Sequence, residues 1–303
     1  MKPFLYQVAA LFYQQYGAEI HRLAFVFPNR RAGLFFQKYL SEISEKPLFS
    51  PSVLTINDLF MQLSGKHTAD KIQMLFRLYE LYRQRSGSSE SFDEFLYWGE
   101  MLLNDFDDID KYMVDARMLF RNVSDLKSLD DDFQYLSPEQ IQAIRSFWSS
   151  FYPKSDSPNQ QHFLELWEIL YDLYTDLRLS LAKEGCGYDG MIFREVVEQL
   201  EKEPLADFPF DQVVFVGLNA LSVSEERLLL ALQKKGVADF YWDYVEPWVT
   251  DPDNKASFFL ERNLRLFPSS MQLPAEEPVQ AEIRVMGVPS AIGQAKQVYP
   301  ILQ

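Results

Sequence analysis

An α/β fold built on a parallel sheet, interrupted by a long helical stretch, is predicted by three features of the sequence. First, Leu23, Ala24, Phe25, Val26 and Phe27 form an apolar run stopped by Pro28-Asn29, as in a strand buried on both faces. Second, Val213, Val214, Phe215 and Val216 repeat that pattern nearly two hundred residues later. Third, each run leads into a segment of helical spacing, and the stretch between them shows apolar residues at helical intervals only.

Taken in order, Phe4, Leu5, Val8, Ala9, Phe12 and Tyr13 predict a helix that ends near Gly17. After the Leu23 strand, Pro28 lacks the N–H needed to extend a ladder. A loop carrying Asn29, Arg30 and Arg31 is expected next. Ala32, Phe35, Phe36, Tyr39, Leu40 and Ile43 then place one apolar stripe on a helix. Pro51, Ser52, Val53, Leu54 and Thr55 read as a second strand. Thr55-Ile56-Asn57-Asp58 has the form of a capping box, which predicts a helix over 56–64. Strand, helix, strand, helix argues for right-handed parallel units.

From Lys66 onward the pattern is helical. One helix carries Ile72, Leu75, Leu78, Tyr79 and Tyr82; the next carries Phe92, Phe95, Leu96, Leu102, Leu103 and Phe106. A third opens at Ser137-Pro138-Glu139 with Ile141, Ile144, Phe147 and Phe151 in phase. The longest spans about 160–184, with Leu164, Trp167, Leu170, Tyr174, Leu177 and Leu181 on one face and Gly185 as its stop. No strand is expected before the α/β pattern resumes at Gln212. Ser222-Val223-Ser224-Glu225 is a second capping box, opening a helix to about 233; strands over 238–242 and 282–288 and a helix from Ser290 follow. Two units result: residues 1–65 with 205–303 as the α/β domain, and 66–204 as a helical insertion. Ile301-Leu302-Gln303 is apolar where a polar tail is the norm, so the chain is expected to be the N-terminal part of something longer.

Composition narrows the function classes. An apolar fraction of 47%, with 25 Phe and 16 Tyr, argues against disorder. No apolar run reaches the roughly 18 residues of a membrane span, and Gln7, Gln14 and Gln15 break any leader-like stretch. The one cysteine, Cys186, excludes an internal disulfide and a cysteine-based zinc site. A cytoplasmic location is the expectation. The net charge of −15 is uneven: residues 1–60 hold six cations against four carboxylates, so +2, which leaves −17 on the remainder. A local cationic surface on an acidic protein is compatible with that asymmetry.

Gly185-Cys186-Gly187-Tyr188-Asp189-Gly190 matches GxGxxG, yet a long helix precedes it where dinucleotide binding requires a strand. It reads as a helix stop and a turn. Gly65-Lys66 lacks the other residues of a phosphate loop, since Phe60 and His67 stand where Gly and Ser/Thr belong. The acidic run Asn104, Asp105, Asp107, Asp108, Asp110 cannot be a calcium loop, because Asp110 and Ala116 occupy the Gly and Glu positions. It reads as a solvated helix face. Asp253-Asn254-Lys255 contains the D-x-K half of a two-metal nuclease site without a separate carboxylate, and reads as a polar turn. His21, His67 and His162 form no zinc pair, and there is no nucleophile elbow. For Arg30 and Arg31, a solvated pair at a helix start and an anion-gripping pair stand as equal readings.

Several stretches carry a family resemblance. These are Phe25-Val26-Phe27-Pro28-Asn29-Arg30-Arg31-Ala32-Gly33-Leu34-Phe35, Leu54-Thr55-Ile56-Asn57-Asp58-Leu59-Phe60, Trp98-Gly99-Glu100-Met101-Leu102-Leu103-Asn104-Asp105-Phe106-Asp107-Asp108 and Val214-Phe215-Val216-Gly217-Leu218-Asn219-Ala220-Leu221-Ser222. Their order and spacing resemble the N-terminal region of AddB-type subunits of bacterial helicase–nuclease complexes, in particular the Bacteroidetes branch of PD-(D/E)XK nuclease family proteins. The resemblance spans essentially the whole chain. It implies a RecA-like, superfamily-1 helicase-like first domain with a large all-helical insertion. It also implies single-stranded DNA along the strand-end loops, with Asn29, Arg30, Arg31 and Thr55 as phosphate contacts, and an AddA-like motor subunit as partner.

Two departures from active helicases stand out. No strand–GxxxxGK[ST]–helix precedes the Leu23 strand, and Gly217, Leu218 and Asn219 follow Val216 where a Mg²⁺-binding Asp and a catalytic Glu would sit. Phosphoryl transfer needs both the phosphate cradle and the metal carboxylate. The expectation is an inactivated ATPase site, no cofactor in this region, and nuclease chemistry located further C-terminal. Two rivals remain: a protein-interaction scaffold that does not touch DNA, and an NTPase with an unrecognised phosphate site.

Overall fold

The computed structural model describes residues 2–120, 158–202, 208–273 and 284–302, with residues 158–168 described through their backbone. Helix α1 (Phe4–Tyr16) ends at Gly17, whose φ of 52° lies in the left-handed region. A 3₁₀ turn (Gly17–Arg22) leads into β1 (Leu23–Phe27). Then come α2 (Arg30–Ile43), β2 (Ser52–Thr55), α3 (Ile56–Ser64), β3 (His67–Thr68), α4 (Lys71–Ser86) and α5 (Phe92–Lys111). After α6 (Pro158–Lys183) follow β4 (Cys186–Gly187), α7 (Asp189–Lys202), β5 (Gln212–Val216), α8 (Val223–Lys235) and β6 (Ala238–Tyr241). The short α9 (Glu246–Val249), α10 (Phe258–Leu266) and α11 (Ala291–Leu302) complete the order.

The four main strands form one parallel sheet in the order β2-β1-β5-β6. Strand side chains alternate between two cores. Leu23, Phe25, Phe27, Val214 and Val216 pack with Val8, Ala9 and Phe12 of α1 and Phe36 and Leu40 of α2. Ala24, Val26, Val213 and Phe215 point to the other face, against α3, α7 and α8. Crossovers on opposite faces make the sheet doubly wound, and its strand order reverses between β1 and β5. Gly33 is what allows α2 to sit down on this sheet, because a Cβ there would lie 2.6 Å from Val53 Cγ1.

A third core joins α4, α5 and α6 through Leu75, Leu78, Phe95, Leu103, Phe106, Leu173 and Leu177. Helix α7 belongs to two cores: Met191 faces this helical cluster, while Phe193, Val196 and Val197 face the sheet.

Four expectations need correction. Arg30 and Arg31 are the first two residues of α2, not loop residues, because Asn29 already caps the helix. Among the described residues of 66–204 there are two short strands, β3 and β4, paired in parallel. Residues 284–288 form no strand, and Val285 is exposed; alternation alone does not make a strand. The acidic run is not a solvated face throughout, since Asp110 is fully buried. The helix expected at 137–151 lies outside the described residues.

Candidate nucleic-acid interface

The site is the rim at the C-terminal ends of the strands. In register, Phe27 of β1 lies beside Thr55 of β2, so the chain leaves the sheet at adjacent points about 4.8 Å apart. Both exits turn at once into helices. Asn29 Oδ1 accepts from the Ala32 amide at 3.0 Å, fixing the start of α2. Thr55 Oγ1 accepts from the Asp58 amide, while Asp58 Oδ2 accepts from the Thr55 amide at 2.9 Å and its hydroxyl at 2.7 Å. Two helix N-termini, each with partial positive charge, thus meet at one rim.

All four predicted residues come together here, but in different roles. Asn29 and Thr55 are capping residues whose side-chain oxygens hold backbone amides. Arg30 and Arg31 project from the first turn of α2 and are exposed, Arg30 to 88% of its side chain. The nearest carboxylate to Arg30 is Asp58, whose Oδ1 stands 4.0 Å from Nη2. That separation in solvent leaves a loose ion pair.

Two contacts escaped sequence reasoning. Asn57 Nδ2 donates to Asp189 Oδ2 at 2.8 Å, and Thr68 Oγ1 donates to Asp189 Oδ1 at 2.9 Å. They tie the start of α3 to the start of α7. The second half of the GxGxxG match does open a helix, yet a protein carboxylate occupies the anion position: the Gly190 amide donates to Asp107 Oδ1 at 2.6 Å. Gly185, with φ of 69°, is the helix stop the sequence predicts.

At the switch point between β1 and β5, Gly217 has a φ of 68°, and the Phe4 ring lies 3.4 Å from where its Cβ would stand. Leu218 is buried in the sheet core, and the backbone oxygen of Asn219 accepts from Asn263 Nδ2 at 2.6 Å. These β5 loop residues offer no carboxylate for a metal. Among the described residues no group of three or more His, Cys, Asp or Glu is arranged to hold a metal ion. No helix among them is long and apolar enough to cross a membrane.

Behind the rim lies a buried polar knot that the sequence did not announce. Asp110 Oδ1 accepts from Tyr174 Oη at 2.6 Å, Arg178 Nη1 at 2.5 Å and Arg194 Nη1 at 2.7 Å, and Oδ2 accepts from Tyr188 Oη at 2.5 Å. Arg194 Nη2 also donates to the Val114 carbonyl at 2.6 Å, and its Nε faces Glu198 Oε1 at 3.3 Å without hydrogen-bond geometry. Burial and then the Asp110 charge push the Tyr174 phenol up to about 12, and the same two causes raise Tyr188 well above its usual range. For Arg178 and Arg194, burial opposes the charge, but Asp110 together with the neighbouring tyrosines outweighs it and raises both. Ser224 of α8 donates to the Lys111 carbonyl at 2.7 Å, joining the knot to the sheet domain. The knot is structural, with every oxygen of Asp110 engaged from within the chain.

No protein-family model matches this chain, and no curated protein matches it.

Proposed function

We propose that this chain is a non-catalytic, helicase-like region of a DNA end-processing helicase–nuclease, with a RecA-like domain and a helical insertion. Single-stranded DNA lies along the strand-end rim, and an AddA-like motor subunit is the protein partner. In this reading the complete protein is an exonuclease subunit of recombinational repair, acting in the cytoplasm, and this region needs no cofactor.

The observation that carries the reading is the convergence of Asn29, Arg30, Arg31 and Thr55 at adjacent strand ends of a doubly wound parallel sheet. Strand ends are where such sheets bind ligands. Two exposed guanidiniums beside two helix N-termini suit a phosphodiester backbone, which they would position without reading sequence. A nucleotide triphosphate suits the rim less well, because the β5 loop supplies Gly217, Leu218 and Asn219 in place of metal-binding acids.

The test is binding of a fluorescent oligothymidylate to the full chain across a salt series. Affinity falls linearly on a log–log plot with salt, and Arg30→Glu with Arg31→Glu weakens it at least about tenfold and lowers the slope by about 1.4, at about 0.7 per lost single-strand phosphate contact. Unchanged affinity in the double variant sinks the assignment of this rim. A second reading, a protein-interaction scaffold without DNA contact, is favoured by the net charge of −15; absence of binding at low salt decides for it. Stoichiometric ATP·Mg²⁺ binding by calorimetry would instead revive an NTPase.

A further inference from the structure

Past β6 the chain builds an aromatic shelf that the nucleic-acid reading does not use. Tyr244, Trp248, Phe258 and Phe259 are all exposed, Trp248 to 64% and Phe258 to 65%. Large apolar side chains scattered singly on a surface need no explanation, but a cluster of rings does. These four fall within sixteen residues, and hydrogen bonds to the Trp248 carbonyl hold its segment against the one that carries Phe258 and Phe259.

The shelf is firmly held. Asn254 Nδ2 and Ser257 Oγ both donate to the Trp248 carbonyl, at 3.0 and 2.9 Å, and Asn254 Nδ2 also reaches Ser257 Oγ at 2.9 Å. This clasp brings α9 against the turn that opens α10, and the Phe258 and Phe259 rings stand 5.4 Å apart. Helix α10 is anchored independently. Leu260 and Leu264 pack on the sheet core, and Asn263 holds the Asn219 carbonyl. Arg262 pairs with Glu226 near the start of α8, while the Leu266 carbonyl accepts from Gln233 near its end. So α10 runs alongside α8 in the same direction, and its first residues lie towards the strand-end rim. The apolar face of α10 that the core can use is used; the rings at its start are left over.

The charge around them argues what they meet. Residues 243–262 hold five carboxylates, Asp243, Glu246, Asp251, Asp253 and Glu261, against Lys255 and Arg262. Arg262 is already paired with Glu226. A phosphate backbone is repelled by these carboxylates, whereas lysines and arginines flanking an apolar anchor are attracted to them. Aromatic anchors at the centre with charge at the edge is also the usual anatomy of a protein–protein contact.

We infer that the Trp248–Phe258 shelf docks a basic, amphipathic protein segment, whose apolar side chains cover the rings while its cations face Glu246, Asp251 and Asp253. The inference is independent of the arginine rim, and its failure would leave the DNA reading untouched.

The test uses the full chain and three labelled probes: a helical peptide patterned in leucine and lysine, its leucine/glutamate counterpart, and oligothymidylate. The leucine/lysine peptide binds at least tenfold tighter than the leucine/glutamate one. Trp248→Ala with Phe258→Ala, a change that leaves net charge alone, weakens the basic peptide at least tenfold, and so does Glu246→Lys with Asp253→Lys. All four side chains are exposed, so both variants keep the wild-type circular dichroism and melting curve. Oligothymidylate affinity is unchanged by the aromatic pair. Unchanged peptide affinity in either double variant overturns the inference. Loss of oligothymidylate binding in the aromatic variant, with the peptide unaffected, overturns it in favour of a base-stacking platform.

Discussion

At the scale of single residues, Asp110 carries more of the architecture than any side chain the sequence singles out. It is buried completely and neutralised by two guanidiniums, Arg178 and Arg194, from two different helices. Such a group adds little compared with a well-packed apolar core, but removing one partner is costly because the others stay buried and uncompensated. Asp110→Asn therefore lowers stability by about 3–5 kcal/mol, read as a drop in the urea midpoint with the slope unchanged. The tyrosines add a pH dependence. Tyr174 keeps its proton up to about 12 in the folded chain, against about 10 when unfolded. Its contribution is complete below pH about 10 and is lost as pH rises through about 12, because the unfolded state releases the proton first. Urea midpoints should thus fall across that alkaline window, and Tyr174→Phe should make the fall shallower. Equal steepness in the variant would show that the phenol is not the group responsible. The sequence displayed Asp110 only as the last member of an acidic run. Its role depends on Tyr174, Arg178, Tyr188 and Arg194, more than sixty residues away, and no local pattern encodes that meeting. Arg30, by contrast, was placed at the right strand end from the run before it, though in a loop, because the Asn29 cap that makes it the first residue of α2 was not read.

Elements whose signals are local were read well. The capping boxes at Thr55 and Ser222 are formed as the spacing implies, and α3 occupies the residues expected. The buried strands β1 and β5 are where the apolar runs placed them. What failed has a common cause. β3 and β4 are two residues each and exist because they pair with one another, so neither has a periodicity to detect. The stretch around Val285 has the alternation of a strand, yet residues 284–288 are not in one and Val285 is exposed. The contact of α5 with α7 gives a test at this scale. A Cβ on Gly190 would lie 2.2 Å from the Asp107 carbonyl oxygen, a backbone atom that cannot step aside without moving a helix. Gly190→Ala is expected to cost about 1–3 kcal/mol through overpacking. Gly87→Ala is the comparison: it has open space around it, and only its φ of 66° opposes a side chain, at about 1–2 kcal/mol. Strain at Gly190 should also loosen α7, so its amides should lose hydrogen-exchange protection, which Gly87→Ala should leave intact. Equal protection patterns in the two variants would deny the close approach of α5 and α7.

For the molecule as a whole, the layout of sheet and helices was visible in the order of apolar runs, while the joint between them was not. The reason is α7. Two faces of this helix serve different cores: Met191 with the helical cluster, and Phe193, Val196 and Val197 with the sheet. With Arg194 of the same helix bound to Asp110 of α5, and Ser224 of α8 bound to the Lys111 carbonyl, both cores share one set of contacts. Shared contacts make unfolding cooperative, because neither core can open without disrupting the helix that completes the other. Phe193 is the place to probe this, since its ring stacks on Phe60 at 3.8 Å inside the sheet core and does not line the helical one. Phe193→Ala should cost about 3–5 kcal/mol as a cavity variant. In native-state hydrogen exchange, the slowest amides of β1 and β5 should lose that much protection. So should the slowest amides of α4 and α5, although the apolar side chains of those helices belong to the helical core and α5 reaches the Phe193 ring through Lys111, whose Nζ lies 5.7 Å from it. A loss confined to the sheet would mean that the two cores unfold separately, and that α7 and the Asp110 knot connect them in space without coupling them in energy.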